Sequence, residues 1–167
     1  DAVVHLLSYE QKKGNINHIH GYGKHGKDTF MQSLAENGVD PDNEHFIIKE
    51  YIDNMYTCMC ASDLIITRAG AMTLTELMAI GRASILIPYP YAAENHQYYN
   101  ALTLQNANAG RIIDDKELTG AVLIDTVTKL ADDPELLKLM SENAAKLSKH
   151  DAAGVILREI TDLMGLE

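Results

Sequence analysis

The chain has 167 residues, 46% of them hydrophobic, and a formal net charge of −10. That is the length of about one domain, long enough to bury a core, and too apolar for a disordered chain. The acidic balance excludes non-specific nucleic-acid binding and an anionic membrane surface as partners of this chain itself, and no apolar run reaches the roughly 18 residues of a spanning helix.

The chain begins at Asp1, and Ala2-Val3-Val4-His5-Leu6-Leu7 already reads as helix, so a fragment or excised domain is expected. Ile16 to His20 predicts a short strand. Thr29 to Asn37 predicts a helix closed by Gly38, a residue suited to the left-handed position after the cap. His45 to Lys49 predicts a strand and Asn54 to Ala61 a helix. Cys58 and Cys60 on that helix stand at i and i+2, which do not face each other. They read as reduced thiols rather than a redox or metal pair. Leu64 to Thr67 is a continuous apolar run, as in a strand buried on both faces. Thr73 to Ile80 predicts a helix with Leu74, Leu77 and Met78 on one face, stopped by Gly81. Ser84 to Ile87 predicts a strand ended by Pro88 and Pro90. Glu94 to Asn108 predicts a helix, and Gly110 to Ile113 the last strand. Three helices follow, over about Leu118–Ala131, Pro134–Lys149 and Ala152–Met164, the second with Pro134 at its first position.

Strands separated by helices of this length are βαβ units and predict an α/β fold, a Rossmann-like parallel sheet flanked by helices. A single domain is expected over residues 1–167. In such sheets ligands sit beyond the carboxyl ends of the strands, and two polar constellations begin there. The first is Arg68-Ala69-Gly70-Ala71-Met72-Thr73-Leu74-Thr75-Glu76. Thr73 and Glu76 have the spacing of a capping box, which explains both without a ligand. Alternatively, the two oxygens of Glu76 match a ribose diol, while small residues and a helix start leave backbone N–H groups for a phosphate. The second is Glu94-Asn95-His96-Gln97-Tyr98-Tyr99-Asn100. His96, Gln97 and Asn100 share a helix face. They offer both donors and acceptors, as sugar hydroxyls require, or they form an ordinary polar helix surface.

Two other patterns read less well. Gly21-Tyr22-Gly23-Lys24-His25-Gly26-Lys27 matches G-x-x-x-x-G-K, but Asp28 stands where a P-loop needs Ser or Thr for Mg²⁺. A flexible polar loop is expected there. His18 and His20 share a strand face with His25 nearby, yet no acidic or thiol ligand stands at a spacing that supports zinc. No metal and no cofactor are expected.

Four segments carry a specific resemblance: Tyr51-Ile52-Asp53-Asn54-Met55, the Arg68–Glu76 stretch, Ile87-Pro88-Tyr89-Pro90, and Asn95-His96-Gln97-Tyr98-Tyr99-Asn100-Ala101. Together, in order, they resemble the C-terminal, donor-binding domain of the MurG family, the bacterial UDP-N-acetylglucosamine transferases that make lipid II from lipid I. The resemblance covers essentially the whole chain. It implies the C-terminal domain of a GT-B glycosyltransferase, with the N-terminal acceptor domain and a glycine-rich phosphate loop absent from this chain. It also implies peptidoglycan synthesis at the inner face of the cell membrane, by a cytoplasmic, peripheral protein.

Carried over by motif, the Ile52 backbone would pair with the uracil edge and Met55 would pack near the base. Glu76 would hold the ribose diol. Ala71, Met72 and Thr73 would line the diphosphate and sugar. Gln97, with His96 and Asn100, would read the GlcNAc hydroxyls; some relatives carry a second Gln where His96 stands. Arg68 matches the motif, with a structural role for it left open. The implied chemistry is inverting, with no catalytic residue in this half, so the chain alone is expected not to transfer sugar. The alternatives are the donor-binding half of another UDP-sugar transferase and a non-catalytic nucleotide-binding domain in which Glu76 is only a cap. The last helix, with Val155, Ile156, Ile160, Leu163 and Met164, exceeds what one domain can cover, and a homodimer of this chain through that face is expected.

Overall fold

The computed structural model describes residues 1–24, 26–148 and 151–165. Their elements run α1 (Ala2–Lys13), β1 (His18–Gly21), α2 (Lys27–Glu36), β2 (Phe46–Lys49), α3 (Met55–Ala61), β3 (Leu64–Thr67), α4 (Ala71–Ile80) and β4 (Ala83–Leu86). After a short 3-10 turn (Ala93–Asn95) come α5 (His96–Asn106), β5 (Gly110–Ile112), a second 3-10 turn (Asp115–Glu117), α6 (Gly120–Ala131), α7 (Pro134–Lys146) and α8 (Ala152–Met164). The α/β alternation is the one the sequence predicts.

Every strand pairing is parallel. β1 pairs with β2 in the register His18↔Phe46. β4 lies between β3 and β5, with Leu64↔Ala83 and Ser84↔Gly110 in register. Among the described residues, β1–β2 and β3–β4–β5 are two hydrogen-bonded sets rather than one continuous sheet. Helix α1 joins them. Its Leu6 packs in the core with Ile85, Ile113 and Leu123, while Val4 and Leu7 pack with Leu34, Val39 and Phe46. A third core gathers Met59, Leu74, Leu77, Leu86 and Leu104 on the other face of β4.

The central position falls to β4, whose four residues are all buried. The apolar run Leu64–Thr67 is only half-buried, contrary to the expectation of burial on both faces. The reason is position: β3 is at the edge of its set, and an edge strand keeps one flank open. Glycine lets β5 approach β4, because a Cβ at Gly110 would come within 2.9 Å of Ser84 Oγ. Gly81 ends α4 in the left-handed conformation (φ 62°) and lies against Ala145 of α7.

Boundaries shift where caps decide them. Thr119 accepts the Val122 N–H at 3.2 Å and Asp133 the Leu136 N–H at 3.0 Å, which fixes the starts of α6 and α7. Leu118 therefore precedes its helix. α7 ends at Lys146, while the predicted end Lys149, like His25, lies outside the described residues. Gly38 follows α2 at φ 65°, as expected.

One polar pair sits inside. Glu10 of α1 is 1% exposed, and His18 Nδ1–H of β1 donates to its Oε2 at 2.7 Å. His20, two residues on, stacks on Phe30 with ring centroids 4.8 Å apart. Burial, and then repulsion from His18 and the amino terminus, lowers the His20 pKa from 6.5 to about 4, so its ring is neutral at neutral pH.

Candidate functional site

The site is built from two strand-to-helix junctions at the carboxyl ends of β3 and β4. At the first, β3 ends at Thr67, Ala69 is fully buried, and α4 starts at Ala71. Leu74 N–H already bonds to Gly70 C=O at 3.0 Å, so Gly70 is the cap residue, and it has no side chain to offer. The capping-box reading of Thr73 and Glu76 is therefore wrong. The helix begins two residues earlier, because Ala71 and Met72 are better helix formers than Thr. Thr73 becomes the third helical residue and Glu76 lies beyond the first turn.

Two consequences follow. The N–H groups of Ala71, Met72 and Thr73 have no helical acceptor and point out at the positive end of the helix dipole. Glu76 is exposed and has no hydrogen-bond partner among the described residues, so its carboxylate is free. It borders an open recess of about 130 Å³ with Met55, Tyr56, Met59, Ala79 and Ile80. The recess is mostly apolar, with the Glu76 carboxylate on its wall. The structure thus brings Met55 and Glu76 together from α3 and α4. Ile52 sits half-buried in the loop before α3, its Cδ1 against the end of β1 at Gly21. Cys58 and Cys60 are both free thiols, and a hydrogen bond with Cys60 raises the pKa of the Tyr56 hydroxyl.

At the second junction the chain leaves β4 through Ile87–Tyr91. The single helix expected from Glu94 is broken there: Glu94 and Asn95 take left-handed conformations (φ 50° and 55°), and α5 starts only at His96. Two consecutive non-glycine residues in this region are a local strain of order 1 kcal/mol or more each. The turn they make places His96, Gln97 and Asn100 at the start of α5. His96 Nδ1 is 2.8 Å from Ala93 C=O. Gln97 Oε1 accepts the Tyr89 N–H at 2.9 Å, which leaves its amide N–H₂ free. Asn100 Nδ2 donates to Ala69 C=O at 3.4 Å and so ties α5 to the first junction. His96 and Asn100 thus each spend a donor on a backbone carbonyl, whereas Gln97 spends only its acceptor.

The sequence alone did not place Arg68. Its Nη1 donates to Ile87 and Pro88 C=O, each at 3.3 Å, and to Asp115 at 2.6 Å. Elsewhere, the glycine-rich stretch does join β1 to α2, with Asp28 in the first turn of that helix. His18 finds an acidic partner in Glu10, which the linear spacing did not suggest. Among the described residues, no group of three or more His, Cys, Asp or Glu is placed to hold a metal ion.

Residues 1–156 match the glycosyltransferase family 28 C-terminal domain. A Desulforamulus reducens protein named UDP-N-acetylglucosamine--N-acetylmuramyl-(pentapeptide) pyrophosphoryl-undecaprenol N-acetylglucosamine transferase is 39% identical over 164 residues, 98% of this chain and 44% of that protein. The protein of the same name from Thermoanaerobacter sp. is 40% identical over 97% of this chain and 44% of its own length. The crystal structure of Acinetobacter baumannii MurG superposes with a TM-score of 0.78 at 27% identity, over 96% of this chain and 46% of that one. This chain therefore spans less than half the length of the relatives it matches. It belongs to the glycosyltransferase family 28 C-terminal domain family.

Proposed function

We propose that this chain is the UDP-GlcNAc-binding half of an inverting transferase that moves GlcNAc onto lipid I to form lipid II. The observation that carries the reading is the free Glu76 carboxylate beside Met55, next to a helix start whose N–H groups have no side-chain cap. The names and the extent of similarity of the relatives support it. Met55 and the Ile52 backbone take the uracil, Glu76 the ribose diol, and the N–H groups of Ala71, Met72 and Thr73 the diphosphate and sugar. His96, Gln97 and Asn100 read the GlcNAc hydroxyls. The acceptor hydroxyl, held by the other half of the full-length protein, attacks the anomeric carbon as the bond to UDP breaks, and its proton passes to a base on that half. The charge on the departing phosphate is stabilised by the amides and dipole of α4.

The test is a calorimetric titration of the chain with UDP-GlcNAc beside UDP-glucose, GDP-mannose and ATP. UDP-GlcNAc is expected to bind selectively. Glu76→Ala loses a charge-assisted pair of hydrogen bonds, on the order of 1–3 kcal/mol, which is about five- to a hundredfold in affinity. A preference for ATP, or equal affinity in the variant, would sink the reading.

No helix among the described residues is long and apolar enough to cross a membrane, in keeping with a peripheral place at the inner face. Helix α8 suggests a further association. Among the described residues it buries none of its own, and Leu163 is 87% exposed. In this chain alone, its face of Val155, Ile156, Ile160, Leu163 and Met164 is expected to pair with a second copy. Light scattering should give a mass that doubles with concentration, and Ile156→Asp with Ile160→Asp should return the monomer. A monomer at millimolar wild-type protein would count against pairing.

A further inference from the structure

Arg68 stands one residue beyond β3, with its side chain 50% exposed. One N–H of its Nη1 goes to Asp115 and the other is shared between the Ile87 and Pro88 carbonyls. The C=O of Pro88, which accepts from Arg68 Nη1, and the N–H of Tyr89, which donates to Gln97 Oε1, belong to the same planar group. The plane is therefore held at both ends: guanidinium on its oxygen, side-chain amide on its nitrogen. Each bond polarises the other in the same direction, so the two strengthen together. The Ile87 C=O gives Arg68 a second grip one residue earlier. Asp115, just beyond β5, anchors the guanidinium through a charge-assisted bond of 2.6 Å, and the Tyr89 ring lies 5.7 Å from its central carbon.

The orientation of Gln97 follows. A peptide N–H can be met only by the amide oxygen, so the side-chain N–H₂ faces away from that peptide and stays unpaired. Were the Pro88–Tyr89 plane free to turn, Gln97 could flip and present its oxygen instead.

Resting on the reading of this edge as a nucleotide-sugar site, we infer that Arg68 is a positioning residue. Through the Pro88–Tyr89 peptide it fixes Gln97 as a hydrogen-bond donor to the sugar. It touches no ligand itself in this scheme. The sugar moiety, not the nucleotide, is what it helps to recognise.

The experiment is a set of titrations of the full chain with UDP-GlcNAc and with UDP, using Arg68→Ala, Arg68→Lys, Gln97→Ala and the double variant Arg68→Ala/Gln97→Ala. Arg68→Ala and Gln97→Ala are each expected to weaken UDP-GlcNAc about three- to tenfold, one hydrogen bond's worth, and to leave UDP unchanged. The double variant should be no weaker than either single one, because both remove the same bond. Arg68→Lys should recover part of the loss, since an ammonium still donates to Asp115 and a carbonyl. Additive losses would mean that Arg68 acts independently of Gln97. Equal weakening of UDP, with a lowered melting temperature, would mean a merely structural role. An unchanged UDP-GlcNAc affinity in Arg68→Ala would overturn the inference while leaving the donor-site reading standing. Failure of the wild-type chain to bind UDP-GlcNAc would remove both.

Discussion

Glu10→Ala is expected to destabilise the folded chain by about 3–5 kcal/mol, the usual cost of removing one member of a buried, hydrogen-bonded acid–base pair. Glu10 is 1% exposed, and its Oε2 is the acceptor for a ring nitrogen of the half-buried His18 at 2.7 Å. The truncated variant leaves that N–H without an acceptor, and it leaves a gap on the side of α1 that faces β1. The pair also links two elements, so its loss falls on the docking of α1, the helix shared by two of the cores. In a chain of this size the melting temperature should drop by roughly 10 °C. Glu10→Gln keeps an acceptor oxygen and should lose much less. Urea unfolding of the three proteins at pH 7 is the measurement. A loss under about 1 kcal/mol in Glu10→Ala would mean that water reaches His18 and that the pair is not buried in solution.

The second large effect is expected at Leu77. It is fully buried on α4 and packs with Met59 of α3, Leu86 of β4 and Leu104 of α5. Leu77→Ala removes three carbons from a packed site and should cost about 2–5 kcal/mol, according to how far the neighbours collapse. Gly81 at the end of α4 is already in contact with Ala145 of α7, which limits how far the helix can shift to fill the gap. The upper part of that range is therefore expected. Denaturant unfolding with an unchanged slope and a lower midpoint would confirm a pure loss of stability. Because Glu76 lies on the outer face of the same helix, the folded variant should still bind UDP-GlcNAc at low temperature. Loss of binding in a variant that remains folded would instead show that the core sets the position of α4 more tightly than packing density suggests.

Much of this architecture was readable from the residues. The switch between short apolar runs and 3.6-residue periodicity gave the α/β order, and glycine and proline gave many of the ends. The candidate ligand edge was readable too, since both junctions begin where strands end. What misled were cues that were locally sound. Thr73 and Glu76 have capping-box spacing, but Ala71 and Met72 form helix first, and this leaves the Glu76 carboxylate without a capping role. Leu64–Thr67 is as apolar as an interior strand, yet it lies at the edge of its set because pairing order is not written in the run itself. The break at Glu94 and Asn95 depends on a left-handed turn that Asn tolerates but Glu does not favour.

Some contacts had no linear signal. Glu10 and His18 are eight residues apart on different elements, and Arg68 and Asp115 are 47 apart. Each of these four is an ordinary polar residue in its own segment. They become a buried pair and a clamp only when strands stack in a particular order. The sequence by itself determined which segments are helix and strand and which polar groups stand at the strand ends, because those follow from side-chain period, caps and steric limits within a few residues. Only the tertiary structure decided which strand is central and which end of the Gln97 amide meets the Tyr89 N–H. Each of those depends on partners that chain folding, not chain order, brings within hydrogen-bonding distance.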